Sequence, residues 1–360
     1  MRIAQVAPLA EQVPPPGYGG IELVVSHLTD ELVRRGHDVT LFASGDSQTL
    51  ARLESVTPKA LRLNPTINEP TVYDLLQLKR ILEQADEFDV IHFHTGFTAL
   101  PWVELLKTAV VHTLHGRFTE HNRKIFSQYG KQCYISISNA QRKFAPELNY
   151  ISTVYNGIKP QNYPFHAQPS QSSYLAFLGR ISPEKGPQQA IEIARAVGWP
   201  LKMAGKVDAV DKDFFKQEIE PQIDGKQIQY LGEVTHAEKV ELIANAAVTL
   251  FPITWSEPFG LVMIESMCTG TPVIGMNLGS VSEVIAHGKT GFICHSIEEM
   301  INAIPKAIEL DRQACRDHVV SRFSITQMVN GYETAYQKVI AQQMSSNGHK
   351  KTSTAVWALN

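Results

Sequence analysis

The stretch AVTLFPITWSEPFGLVMIE, residues 247–265, decides how this chain folds. Its first seven residues are a short, unbroken apolar run, the mark of a strand buried on both faces. From Leu261 onward the pattern is helical. Pro258 suits the turn leading into a helix, and Gly260 lets backbone come close to a bound group. A strand that turns directly into a helix leaves the first-turn N–H groups free, and such an end attracts anions, phosphate above all. Glu257 stands at the mouth of this turn and Glu265 about one turn inside the helix. The plainer alternative is a buried helix with two incidental acids.

The same unit recurs along the chain. IAQVAPL (3–9), DVTLFAS (38–44), DVIHFHT (89–95), AVVHTLHG (109–116), CYISISN (133–139) and ISTVYNG (151–157) read as strands, with helices over 21–37 and 73–88. In the first helix Ile21, Val24, Val25, Leu28, Leu32 and Val33 share one face, and Gly36 ends it. The alternation restarts with SYLAFLG (173–179), PLKMAGK (200–206), IQYLGEV (228–234), AVTLFPI (247–253) and TPVIGMN (271–277). Helical patterns near 186–198, 211–223, 236–246 and 260–268 separate these strands. Apolar strands alternating with helices specify parallel sheets covered on both faces, the α/β class. The Pro-, Gln- and Ser-rich stretch 159–173 is the expected linker. Two doubly wound Rossmann-like domains are therefore expected, residues 1–160 and 161–323, facing a cleft. In such domains ligands bind beyond the C-terminal ends of the strands.

Composition narrows the function. Of the 360 residues, 43% are hydrophobic and 19% charged, a globular balance. A net charge of -3 argues against a general nucleic-acid binder. The four cysteines are scattered without a C-x-x-C, which suits reduced thiols and a cytoplasmic protein. No apolar run reaches the ~18 residues of a membrane span, and the N-terminus reads as a strand rather than a signal peptide.

The residues that could carry chemistry lie just after strands. GRISPEKG (179–186) places Arg180 and Lys185 at the same sheet edge as the Glu257 turn, two cations suited to phosphate. A solvated loop is the alternative. PPPGYGGIE (14–22) is Gly-rich but fails the dinucleotide spacing, since position 22 is Glu; Gly19 and Gly20 can still bring N–H groups to a phosphate. That failure also disfavours a hydride-transfer enzyme. His94 and His115 stand at strand ends facing the cleft, and no carboxylate or Cys completes a zinc site with them. DKD (211–213) resembles a metal-binding D-x-D but opens a polar helix, where a solvated start is expected. Residues 117–143 hold six Lys/Arg against one acid, with Phe118, Ile125 and Phe126 between them. That composition suits peripheral contact with an anionic membrane, at the inner face, or else a solvated helix face.

Together these motifs resemble the retaining glycosyltransferases of family 4, which have the GT-B architecture. EPFGLVMIE is similar to that family's E-x7-E signature and GRISPEKG to its G-R-x-x-x-x-K-G loop. NLGSVSEVIAHGKTGFIC (277–294) resembles its G-x-P-E-V-I segment, with Ser282 where Pro is usual. RFSITQMVNGYETAYQKVI (322–340) is similar to the helix that crosses back to the first domain, here about 324–344, leaving 345–360 as a polar tail. The resemblance implies that Arg180 and Lys185 grip the donor diphosphate, with Gly19 and Gly20 approaching from the other domain. It implies that Glu257 contacts the transferred sugar, aided by backbone near Phe259, Gly260, Leu261 and Val262, and that Glu265 binds the ribose. Gly205, Lys206, Gly232 and Val234 would lie near the base. His115 would stand beside the reacting sugar, with His94 and Arg117 toward the acceptor. The implied activity is transfer of a hexose, glucose as best guess, from a UDP-sugar to a polysaccharide or lipid-linked oligosaccharide, without metal or other cofactor. A nucleotide-sugar epimerase of the same plan, or a binding protein without catalysis, is the alternative.

Overall fold

A computed structural model describes residues 1–354 except Tyr18, Leu63, Pro65 and Ser172, with side chains as far as Ser345. Among the described residues two parallel sheets carry the fold. The first contains β1 (Arg2–Val6), β2 (Asp38–Phe42), β3 (Arg52–Glu54), β4 (Val90–Phe93), β5 (Ala109–Leu114), β6 (Tyr134–Ser136) and β7 (Tyr150–Thr153), in the order β3-β2-β1-β4-β5-β6-β7. The second contains β8 (Leu175–Leu178), β9 (Leu201–Ala204), β10 (Ile228–Tyr230), β11 (Val248–Phe251), β12 (Val273–Met276) and β13 (Gly291–Cys294), in the order β10-β9-β8-β11-β12-β13. Strand order reverses between β1 and β4 and again between β8 and β11, and a crevice opens at each reversal. Central strands such as β4, β5, β8 and β11 are buried along their whole length, which is why their sequences are apolar without alternation.

Three local expectations need correction. The helix expected over 211–223 is a broken run: Lys212–Phe214 is α-helical, Phe215–Ile219 has π geometry and Glu220–Gln222 is a 3-10 turn. Pro221 has no N–H to continue an α-helix, and the chain relaxes around it. The expected linker is partly structural, since Tyr163 within it is 1% exposed. The C-terminal helix runs over Ile325–Thr354, longer than its apolar pattern suggests, and residues 355–360 of the expected tail lie outside the described residues. No described helix is long and apolar enough to cross a membrane.

The C-terminal helix packs on the first sheet and on the Gly20–Arg34 helix, burying Val329, Tyr332, Tyr336 and Val339. The chain thus crosses between the two sheets twice, and the crossings are paired. Ile158 and Ser324 form a parallel bridge; Ile158 N–H donates to Phe323 O at 3.0 Å and Ile325 N–H to Ile158 O at 2.9 Å. A Cβ on Gly157 would stand 2.6 Å from Ser324 O, so only glycine admits this approach. Beyond the crossings, Glu283 accepts from the backbone N–H groups of Asn139 (2.8 Å) and Ala140 (2.6 Å) and from the Tyr155 hydroxyl (2.8 Å).

Candidate active site

The C-terminal ends of both sheets open on the same cleft. A cavity of about 150 Å³ is lined by Gly19, Gly20, Gly205, Lys206, Val234, Leu261, Val262 and Glu265. The helices Gly20–Arg34 and Leu261–Cys268 both begin at its wall, and among the described residues neither start has a side-chain cap. Their free N–H groups and dipoles make the wall between them electropositive. Gly205 closes the floor: its φ is +150°, and a Cβ there would lie 1.7 Å from Gly179 O. Of the donor-site residues expected from the sequence, Arg180, Lys185, Gly232, Glu257, Phe259 and Gly260 do not line this cavity. Gly232 lies behind it, its carbonyl accepting from Gly205 N–H at 2.8 Å. The Phe259 ring is 2% exposed and packs against Tyr155 and Phe323, which anchors the turn whose backbone is expected to assist the donor.

At the edge of β8 and β11 the cations expected from the sequence carry acidic partners. Lys185 Nζ is ion-paired with Glu257, whose Oε2 also accepts from Trp255 Nε1 at 3.0 Å. Lys185 and Arg117 stand 5.0 Å and 5.7 Å from the Trp255 ring centroid, so that ring links the two halves of the cleft. Arg180 pairs with Glu184 and, at 3.4 Å, with Asp208; Lys206 reaches Asp208 at 2.8 Å. Burial pushes the Asp208 pKa up, but Lys206 and Arg180 outweigh it and hold the carboxyl below its usual range.

Glu265 is 2% exposed and is the most enclosed acid of the site. Its Oε1 meets Lys239 Nζ at 2.5 Å and accepts from Tyr163 OH at 2.9 Å. Burial works to raise its pKa, yet the ammonium and these hydrogen bonds prevail, and the carboxyl titrates below its ordinary value. Lys239, Tyr163 and Asp208 are absent from the residues expected from sequence. Trp255 was inside the deciding stretch, two positions before Glu257, and was readable as an aromatic beside a carboxylate.

Facing these groups, a cavity of about 570 Å³ in the first half is lined by His94, His115 and Arg117, with Leu9, Ile21, Leu61, Phe97, Phe118 and Phe126 as its apolar wall. His115 Nε2 lies 2.8 Å from His94 Nδ1. Burial lowers the His115 pKa to about 4, so the ring is neutral at physiological pH. A third cavity of about 200 Å³, lined by Arg117, Trp255, Glu257 and Gly279, joins the two sides. The structure therefore brings His94, His115 and Arg117 to one wall and the donor-site residues to the other. The membrane expectation loses part of its basis: Phe126 is 5% exposed, and Phe118 and Ile125 pack against the same core cluster.

Glu22, at the start of the Gly20–Arg34 helix, yields a pH prediction. Burial raises its carboxyl to about 7, its own backbone N–H opposing and Glu11 adding to the rise. A folded-state value above the ordinary 4.5 means that stability is lost as pH rises through the interval between them. Glu22→Gln is expected to remove that loss. By urea denaturation the variant should exceed the parent by roughly 1–3 kcal/mol at alkaline pH and match it in acid.

Comparison with known proteins agrees with this geometry. The model described as Glycosyltransferase Family 4 matches residues 18–162, and that described as Glycosyl transferases group 1 matches residues 159–318. The chain is 24% identical to glycogen synthase of Mycobacterium tuberculosis, over 90% of this chain and 91% of that one. Sucrose-phosphate synthase of Thermosynechococcus elongatus superposes with a TM-score of 0.79 at 18% identity, covering 95% of this chain and 99% of that one. HepE of Anabaena, solved with UDP and glucose, gives 0.70 at 20% identity, covering 96% and 100%. With the two models side by side and in order, on two doubly wound sheets facing one cleft, the chain belongs to the family 4 glycosyltransferases of GT-B architecture.

Proposed function

We propose that this glycosyltransferase moves a hexose, glucose as the best fit, from a UDP-sugar to a saccharide or lipid-linked saccharide, with retention and without a metal ion. The observation that carries this reading is the convergence of two uncapped helix starts, at Gly20 and Leu261, on one cavity with Lys185 and Arg180 at the edge of the same sheet. That is a receptor for a diphosphate. HepE of Anabaena, which has the same fold, has been solved with UDP-glucose, and this supports the choice of donor. Glu265, beside the cavity floor, takes the ribose; Gly205, Lys206 and Val234 lie toward the base. Glu257 takes sugar hydroxyls. The diphosphate displaces Glu184 and Asp208 from Arg180 and competes with Glu257 for Lys185.

Glu257 is tied to Lys185 and Trp255, which makes it a poor nucleophile and favours front-face attack. In that route the acceptor hydroxyl oxygen bonds to the anomeric carbon as the bond to the phosphate oxygen breaks. The departing phosphate takes the hydroxyl proton. Arg180, Lys185 and the helix ends supply the positive charge the leaving group needs. Contact with an anionic bilayer would rest on exposed residues such as Lys143 and Phe144, the latter at the rim of the third cavity.

UDP-glucose and an oligosaccharide acceptor, incubated with excess EDTA, are expected to yield UDP and an α-linked product with a small anomeric proton coupling. Activity lost on chelation and restored by manganese or magnesium would overturn the metal-free reading. A β-linked first product would overturn retention.

A further inference from the structure

Six polar side chains form a continuous buried chain from the C-terminal helix to the acceptor cavity. Tyr336 OH lies 2.8 Å from Gln5 Nε2 and 2.7 Å from His92 Nδ1. Gln5 Oε1 lies 2.9 Å from His94 Nε2, and His94 Nδ1 lies 2.8 Å from His115 Nε2. On the far side His92 Nε2 meets Thr113 Oγ1 at 2.7 Å. Gln5, His92, His94 and Tyr336 are each at most 2% exposed.

A neutral imidazole has one donor and one acceptor nitrogen, so each bond in such a chain fixes the next. Gln5 Oε1 can only accept, which makes His94 protonated on Nε2 and leaves its Nδ1 as an acceptor. His115 must then donate from Nε2, and its Nδ1 is left without a proton. The other end of the Gln5 amide donates to the Tyr336 oxygen, and the Tyr336 proton goes to His92 Nδ1. If the amide were reversed, every bond in the chain would reverse and His115 would carry its proton on Nδ1.

We infer that Tyr336, acting through Gln5 and His94, sets the tautomer of His115, so that His115 offers an acceptor nitrogen to the cavity. Tyr336, Gln5 and His94 are positioning residues. Burial keeps the rings of His92, His94 and His115 neutral, so the tautomer rather than the charge decides what His115 can bind. On the reading that the cavity takes a saccharide, His115 Nδ1 accepts a hydrogen bond from a sugar or acceptor hydroxyl. A reversed ring would present a donor to the same hydroxyl.

The test is nitrogen NMR of the full chain labelled with 15N-histidine, without ligand, the His115 signals being assigned by His115→Asn. The expected result is protonation on Nε2 in the parent, a mixture of both tautomers in Tyr336→Phe, and the parent spectrum in Tyr332→Phe. Tyr332 packs beside Tyr336 and His92, but its hydroxyl is bonded to Thr113 beyond the six side chains, on the branch away from Gln5, His94 and His115. In turnover, Tyr336→Phe should lower kcat about tenfold, one neutral hydrogen bond, with UDP affinity unchanged. His115 protonated on Nδ1 in the parent would overturn the inference. So would a Tyr336→Phe spectrum unchanged from the parent, or a Tyr332→Phe spectrum altered just as much. These spectra need no substrate, so they stand or fall apart from the proposed reaction.

Discussion

Lys185→Ala is expected to weaken UDP binding by ~2–5 kcal/mol, roughly 30-fold to several thousand-fold in dissociation constant. Two things depend on that ammonium. It neutralises Glu257, and on the proposed reading it meets the leaving diphosphate. Removing it leaves Glu257 charged and 8% exposed, without its cation, beside the incoming phosphates. Part of the loss is therefore repulsion that the parent does not have. Glu257→Gln separates the terms. The amide keeps a hydrogen-bonding group for sugar hydroxyls and releases Lys185, so UDP binding should hold or tighten while turnover falls. Titration calorimetry with UDP checks both variants. Equal weakening in the two would show that Glu257 faces the nucleotide, contrary to the sugar-binding role proposed for it.

The second large effect is on stability. Lys239→Met should destabilise the fold by ~3–5 kcal/mol near neutral pH, because it strands the Glu265 carboxylate inside the protein. In the parent, Glu265 titrates below its ordinary 4.5, so its contribution is present above that value and lost as pH falls through the lower one. Without Lys239 the burial effect dominates and the folded-state pKa rises above 4.5, so the variant's loss grows as pH rises. The gap between parent and variant should be wide at pH 7, shrink as pH falls, and close only in acid below the parent's depressed folded-state value. A gap of constant width across urea denaturation series would mean that Lys239 acts through packing alone.

The sequence made the sheets legible because period and length suffice for buried parallel strands. AVTLFPI and AVVHTLHG could be little else once helices flanked them. Strand-end position likewise singled out Arg180, Lys185, Glu257 and Glu265 as candidates, since anion sites collect where strands turn into helices. What stayed hidden was pairing across long separations. Lys239 reads as one more charge on a surface helix until the fold places Glu265 against it, 26 residues on. Tyr163 sat in a stretch whose Pro and Ser content spoke for a loose linker, and a composition signal does not see one ring turned inward. Gln5 did leave a trace: an amide inside an apolar strand implies a buried partner, though nothing local names Tyr336, 331 positions away. The edge strands β3 and β13 were missed for local reasons: β3 reads RLE, one apolar residue between two charges and only half-buried, and β13 opens on a glycine.

The paired crossings at Ile158 and Ser324 bear on the timing of the catalytic cycle. A single flexible tether would let the two halves twist and slide, and each reclosure would have to search for the alignment of His115 with Glu257. Two strands stitched side by side, with no space for a side chain at Gly157, leave rotation about one axis as the soft motion. Next to that axis Glu283 accepts from Asn139, Ala140 and Tyr155, and the Tyr155 ring packs on Phe323, so these contacts brace the register of the two halves at the crossing. Domain motions of this kind run on microsecond to millisecond scales. On the proposed reading, a product nucleotide would leave through such a swing and the cleft would close again in the same register.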